Sequence, residues 1–245
     1  MALIDIERAV LSVCFAVEPP EAALALLGER RVWLLYRQLI RDRLWRELQH
    51  ALPRSFALEP ALLQRTFAAQ LERDPPRTRY FQQLVAAFAH SALRSWQSEP
   101  ALPVQLPDLL RYEAALWEVA DLEADLSVTL SEFGFERVPV ISPALRLLAL
   151  GHAVHLPPAA GEPPAAGEFF VCIQRQPDAP RARSWTLNRT TYALLADFQR
   201  AEVSANDSVR RVSAQLGVAL TPRFVERLCE TLAHWIEVGI LLGSR

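Results

Sequence analysis

Two histidines three residues apart, His152 and His155, are the only H-x-x-H in the chain and the first place to look for a metal. In an extended segment a spacing of three sends the two rings to opposite faces. No Cys or carboxylate stands close by in sequence to complete a zinc set, so the pair reads as surface histidines near a strand end. His50, His90 and His234 are isolated on segments with helical spacing. The three cysteines, Cys14, Cys172 and Cys229, are odd in number and far apart, which gives neither a disulfide framework nor a CxxC metal pattern. Each lies in an apolar stretch and is expected to act as a small buried hydrophobe.

Other catalytic signatures are missing. There is no GxSxG, no P-loop and no Rossmann glycine pattern, and eight Gly in all leave little for a phosphate-cradling loop. The carboxylates Glu113, Glu118, Asp121, Glu123 and Asp125 cluster on and after one helical segment. A solvated acidic face explains them, as does a docking surface for a basic partner, and no general acid and base pair stands out among them. The residues argue against an enzyme.

Composition narrows the classes further. At 245 residues two domains are the better expectation. The formal charge of −2 gives no general attraction to nucleic acid or to an acidic membrane. Asp5, Glu7 and Arg8 interrupt the place where a signal peptide needs its apolar core. No apolar run approaches the roughly 20 residues that span a bilayer, so a soluble protein of the reducing cytoplasm is expected. All 26 basic residues are Arg, from which no function follows.

The elements that must position any site fall into two halves. Up to about residue 132 the apolar spacing is helical and well punctuated. A helix ends at Pro19-Pro20, a short one covers Glu21–Leu27 before Gly28, and a long one covers Arg30–Leu52. In that long helix Val32, Leu35, Leu39, Leu48 and Leu52 are expected on or near one face, and Pro53 is expected to end it. Helices follow from Pro60, after the DPPRTR loop at 74–79, and from Asp108.

Past Phe133 the pattern changes. VPVI at 138–141, ALRLLALGHAVHL at 144–156, FFVCIQRQ at 169–176 and RSWTLN at 183–188 read as extended. They suggest a three-stranded meander, with a Pro/Ala loop at 157–167 and a turn at Pro177-Asp178. RSWTLN alternates, with Trp185 and Leu187 on one face and Ser184 and Thr186 on the other. Three helices then open at Asn188, at Asp207 or Ser208, and at Thr221-Pro222. The last carries Phe224, Leu228, Leu232, Trp235 and Ile236 at helical spacing. The expected fold is therefore α+β: an all-helical domain over 1–132, then a winged-helix-like β-β-β-α-α-α domain over 133–245.

A winged helix supports two readings. One is a DNA-binding regulator, which needs a basic third helix. Here that helix carries Glu226, Glu230 and Glu237 beside Arg223 and Arg227, an acidic burden that repels phosphates. The other uses an exposed strand edge beside the third helix to accept a peptide as an extra strand.

WLLYRQLIRDRLWRELQHALP (33–53), DPPRTRYF (74–81) and PDLLRYEAALWEV (107–119) resemble a bacterial family labelled as DNA-binding. Its members are partner subunits of multinuclear non-haem iron-dependent oxidases, including the partner protein of methanobactin biosynthesis. The likeness covers roughly residues 20–156. LNRTTYALLADF (187–198) and the final helix are similar to the recognition domains of ribosomal peptide pathways. The resemblance implies a non-catalytic accessory subunit with no cofactor of its own, the iron belonging to the partner oxidase. The implied partners are that oxidase and a ribosomally synthesised precursor peptide, not nucleic acid and not a membrane. The precursor's leader is implied to pair along the third strand, Arg183, Ser184, Trp185, Thr186 and Leu187, and to pack against Phe224, Leu228 and Leu232.

Overall fold

The computed structural model of the chain describes residues 2–76, 81–99, 101–122, 129–157, 162–176, 181–200 and 202–245. The chain is α+β, with helices first, then strands, then helices again. It divides into two compact units, Met1–Glu118 and Val119–Arg245. Among the described residues no helix is long and apolar enough to cross a membrane.

The first unit is built from α1 (Leu3–Phe15), α2 (Glu21–Leu27), α3 (Arg30–Ala51), α4 (Pro53–Leu58), α5 (Pro60–Arg73), α6 (Phe81–Ser95), a 3-10 turn (Trp96–Ser98) and all but the last turn of α7 (Leu106–Asp121). Gly28 closes α2 at φ 96°, where a side chain would be strained. Leu48, Leu52, Leu63, Phe88 and Leu110 are fully buried at the centre, each such burial contributing about 1.5–3 kcal/mol.

Two expectations are corrected in this unit and one is extended. Pro53 does end α3, but it also stands at the first position of a further short helix, α4. Its missing N–H costs nothing there because the first-turn amides of a helix have no partner within the helix. The apolar positions of α3 do not share a face. Leu48 lies nine residues beyond Leu39, about two and a half turns, so Leu48 and Leu52 are buried while Val32, Leu35 and Leu39 are 54%, 57% and 54% exposed. The inward face instead carries two arginines. Arg37 donates to the Val13 and Val17 carbonyls at 2.7 and 3.0 Å, and Arg41 to the Phe15 carbonyl at 3.3 Å. They satisfy carbonyls at the end of α1 and just beyond, where a cation is favoured.

The second correction concerns the acidic cluster. Glu113 is no part of a solvated face: it is 4% exposed. Its carboxylate accepts from the Arg54 and Ser55 amides, both at 2.9 Å, and from the Ser55 hydroxyl at 2.6 Å. It serves as the N-terminal cap that Pro53 and Leu52 cannot give α4. Asp108 is also buried, 3.4 Å from Arg111. Glu123, Asp125, the Asp121 side chain, residues 77–79 of the expected loop, Tyr80 after it and the Pro177-Asp178 turn lie outside the described residues.

The second unit holds β1 (Pro139–Ile141), β2 (Leu145–His152), β3 (Ala166–Arg175), β4 (Ala182–Leu187), α8 (Arg189–Arg200), α9 (Ala205–Leu216), α10 (Pro222–Glu237) and β5 (Leu241–Ser244). The expected meander is β2-β3-β4, antiparallel throughout. β3 begins at Ala166, so the end of the Pro/Ala stretch is strand and not loop; residues 158–161 lie outside the described residues. A second sheet pairs β1 with β5, which brings the chain's end back against the segment before the meander. Gly243 is required in β5, because it has φ 141° and a Cβ there would collide with the Ser131 carbonyl.

Capping fixes the starts of α8 and α10 where the residue types suggested, whereas α9 opens at Ala205, ahead of the expected Asp207 or Ser208. Asn188 Oδ1 accepts from the Thr191 amide at 2.8 Å, and Thr221 Oγ1 from the Phe224 amide at 3.2 Å. For α9 the cap is Ser204, whose hydroxyl accepts from the Asp207 amide at 3.1 Å. Leu195, Phe198, Leu232, Trp235, Ile240 and Leu241 pack with Leu145 and Cys172 of the sheet to form the core.

Candidate functional site

Leu147, Cys172 and Trp185 lie side by side across the meander, and Trp185 and Leu187 pack partly buried against the core. Ser184 and Thr186 are exposed on the other face of β4, as the alternation requires. In the sheet β4 is bonded to β3 and, among the described residues, stands at the edge.

The direction of its backbone groups follows from one bond past the strand end. The Gln176 amide donates to the Arg181 carbonyl at 2.8 Å, while the Arg175 amide turns to the other side, donating to the Ala144 carbonyl at 3.1 Å. Antiparallel pairs alternate between bonded and non-bonded residues, and the β3–β4 register has no shift. Arg183, Trp185 and Leu187 therefore exchange hydrogen bonds with β3. Thr186 points its N–H and C=O away from β3, towards the sheet edge.

Behind the strand stands α10. Trp185 meets His234 edge-on, ring centroids 5.7 Å apart, and the Arg183 guanidinium covers the same indole at 3.8 Å from its centroid. The indole Nε1 is buried with no hydrogen-bond partner among the described residues, an N–H donor of the kind that normally finds an acceptor when buried.

At the end of β4 a cleft of about 410 Å³ opens between the start of α8 and α10. Leu194, Val218, Phe224, Leu228 and Trp235 give it an apolar floor, Arg189 and Arg227 stand on its rim, and among the described residues no acidic side chain lines it. The N-terminus of α8 opens into it as well, and its dipole adds positive potential. Apolar side chains and negative charge are both favoured there. A second cleft of about 420 Å³ runs along β1 and the end of α8, and none of the candidate residues lines it.

The candidate residues thus fall into three groups. Arg183 to Leu187 form the edge strand, and Phe224 and Leu228 line the cleft at its end. Leu232, 2% exposed, belongs to the core and does not line the cleft. Val218, Arg189, Arg227 and Leu194 were not legible as site residues, because they meet only when α8 and α10 pack. Trp235 shared the apolar stripe of α10 with the candidates, but nothing in the spacing separates a cleft position from a core one. Ile236 is exposed, one residue off the inward stripe.

His152 ends β2. Both ring nitrogens of His155 are buried without a hydrogen-bond partner among the described residues, and burial lowers the pKa of its imidazole. Burial also raises the Cys14 thiol and pushes Cys172 up to about 12. Cys229 departs from the expectation and is exposed on α10, one residue round from the inward-facing Leu228. Among the described residues no three or more His, Cys, Asp or Glu side chains are grouped to hold a metal ion.

Comparison with protein-family models gives no match, and comparison with curated proteins finds no relative.

Proposed function

We propose that the chain is a non-catalytic partner subunit that captures a ribosomally synthesised precursor peptide and presents it to a multinuclear non-haem iron-dependent oxidase. On this reading the meander and α8 to α10 form a winged-helix-like peptide-recognition domain, and the helical unit docks the oxidase. The iron and the chemistry belong to the oxidase. The chain supplies orientation and local concentration, which tethering raises to about millimolar.

The observation that carries this reading is the edge strand β4, which leads into an apolar, positively rimmed cleft beside α10. A peptide laid along β4 gains main-chain hydrogen bonds from the edge and inserts a side chain into the cleft. A bulky apolar residue followed or preceded by a carboxylate is the sequence that suits it. The DNA-binding reading gains nothing from α10, whose Glu226, Glu230 and Glu237 are all exposed.

The test is co-expression with an oxidase and a short precursor encoded beside the gene. The expected result is a complex that elutes together on a sizing column and whose oxidase modifies the precursor only when this chain is present. Oxidase and chain eluting separately at micromolar concentration, with modification unchanged when the chain is omitted, would overturn it.

A further inference from the structure

The face that α3 turns to solvent is apolar over two turns. Val32, Leu35, Tyr36 and Leu39 are between 46% and 57% exposed and follow the i, i+3, i+4, i+7 spacing of one stripe. Isolated exposed leucines are ordinary, but a contiguous stripe on one helix marks an interaction surface.

What fits it is set by the charges at its ends. One turn before Val32 the stripe begins with the exposed Glu29; beyond Leu39 it continues into the exposed Arg43 and Arg46. The order along the helix is acid, apolar, base. On one flank, three turns apart, stand the exposed Arg31 and Asp42, again of opposite sign.

A two-fold axis across the middle of the stripe makes this pattern complementary to itself. With two α3 helices antiparallel, Glu29 of one copy lies opposite the Arg43 and Arg46 end of the other. Because a two-fold of this kind brings the same flank of both helices together, Arg31 meets Asp42 of the second copy. Both pairings ask for the same register, centred between residues 36 and 37, which also puts the apolar stretches on each other. A parallel pair sets like charge on like, and a uniformly acidic or basic partner is repelled at one end.

We propose that this stripe is the interface of a homodimer, formed by antiparallel packing of α3 on α3 of a second copy. Interfaces related by a two-fold use the same patch on both subunits, and side chains of this kind form the apolar core of such a patch, with charges at the rim. The proposal does not depend on the peptide-presenting function.

Sedimentation velocity of the full chain tests it. Wild type should show a concentration-dependent dimer, and Leu35→Glu, which sets a charge at the centre, should weaken it by about tenfold or more. Arg31→Asp alone and Asp42→Arg alone each place like charges together and should weaken the dimer about threefold to tenfold. Mixed in equal amounts, these two variants restore both opposite-charge pairs, so the dimer should recover. All three positions are exposed, and circular dichroism checks that each variant is folded. If Leu35→Glu does not fold, the charge variants carry the test. A wild type that stays monomeric at about 100 μM, a dimer indifferent to these substitutions, or single variants that fail to recover on mixing would each overturn the proposal.

Discussion

Trp185 of β4 stands edge-on to His234 of α10, the planes 81° apart and the ring centroids separated by 5.7 Å. With Arg183 stacked on the same indole, one side chain ties the edge strand to the helix behind it. The strand's path beside the cleft is therefore set by aromatic packing as well as by its bonds to β3. Trp185→Phe preserves an edge-on ring and should keep most of the peptide affinity. Trp185→Ala should lose it together with part of the stability, read by fluorescence anisotropy of a labelled leader peptide and by urea denaturation.

Phe224 and Leu232 separate binding from folding on the same helix. Phe224 is half-buried and lines the cleft, whereas Leu232 is 2% exposed within the core. Leu232→Ala should cost about 2–5 kcal/mol of stability. Phe224→Ala should cost less stability and weaken leader binding by about tenfold or more. Equal loss of stability in the two variants, with binding untouched in both, contradicts this division.

Glu113 is the part of the helical unit most exposed to a single substitution. Glu113→Ala strands the part-buried Arg54 amide and the buried Ser55 amide and hydroxyl, and should lower the unfolding free energy by about 3 kcal/mol. Glu113→Gln keeps one acceptor oxygen and should lose clearly less. Urea denaturation of both variants gives the comparison; an unchanged midpoint in Glu113→Ala would mean that the cap contributes nothing.

The cysteines predict both reactivity and a pH response. In the folded protein at pH 8 a disulfide reagent should titrate one thiol, Cys229, and in urea all three. Burial pushes Cys172 from 9.0 up to about 12, so the folded state holds that proton after the unfolded chain has released it. The stability tied to Cys172 is thus fully present below pH 9.0 and is lost as the pH rises towards 12. Cys172→Ala should show a smaller decline over that window.

Much of the fold was legible because local signals and tertiary structure agree. Gly28 after α2, Asn188 before α8 and Thr221-Pro222 before α10 mark ends by backbone and capping chemistry that needs no distant partner. The departures have two causes, one a matter of local helical phase and the rest of distant partners. Leu48 and Leu52 were grouped with Leu39 although helical phase separates them by half a turn. Glu113 looked solvated because its partners, Arg54 and Ser55, are far away in sequence. β5 is four residues long and becomes a strand only by pairing with β1. The edge strand was read from its alternation, but the cleft at its end was not, since it exists only where α8 and α10 meet.

The central claim is that a peptide is held as an added strand along β4, and backbone parity supplies its most direct test. Thr186 points its amide away from β3, so Thr186→Pro removes an outward donor while leaving the sheet's own ladder intact, as proline on an edge strand can. Trp185 bonds to β3, so Trp185→Pro breaks the sheet. Anisotropy of a labelled leader peptide, with circular dichroism as the folding check, should find Thr186→Pro folded but binding about tenfold or more weaker, and Trp185→Pro unfolded in the second unit. A folded Thr186→Pro protein that binds the leader as tightly as wild type would contradict strand addition and place the peptide elsewhere.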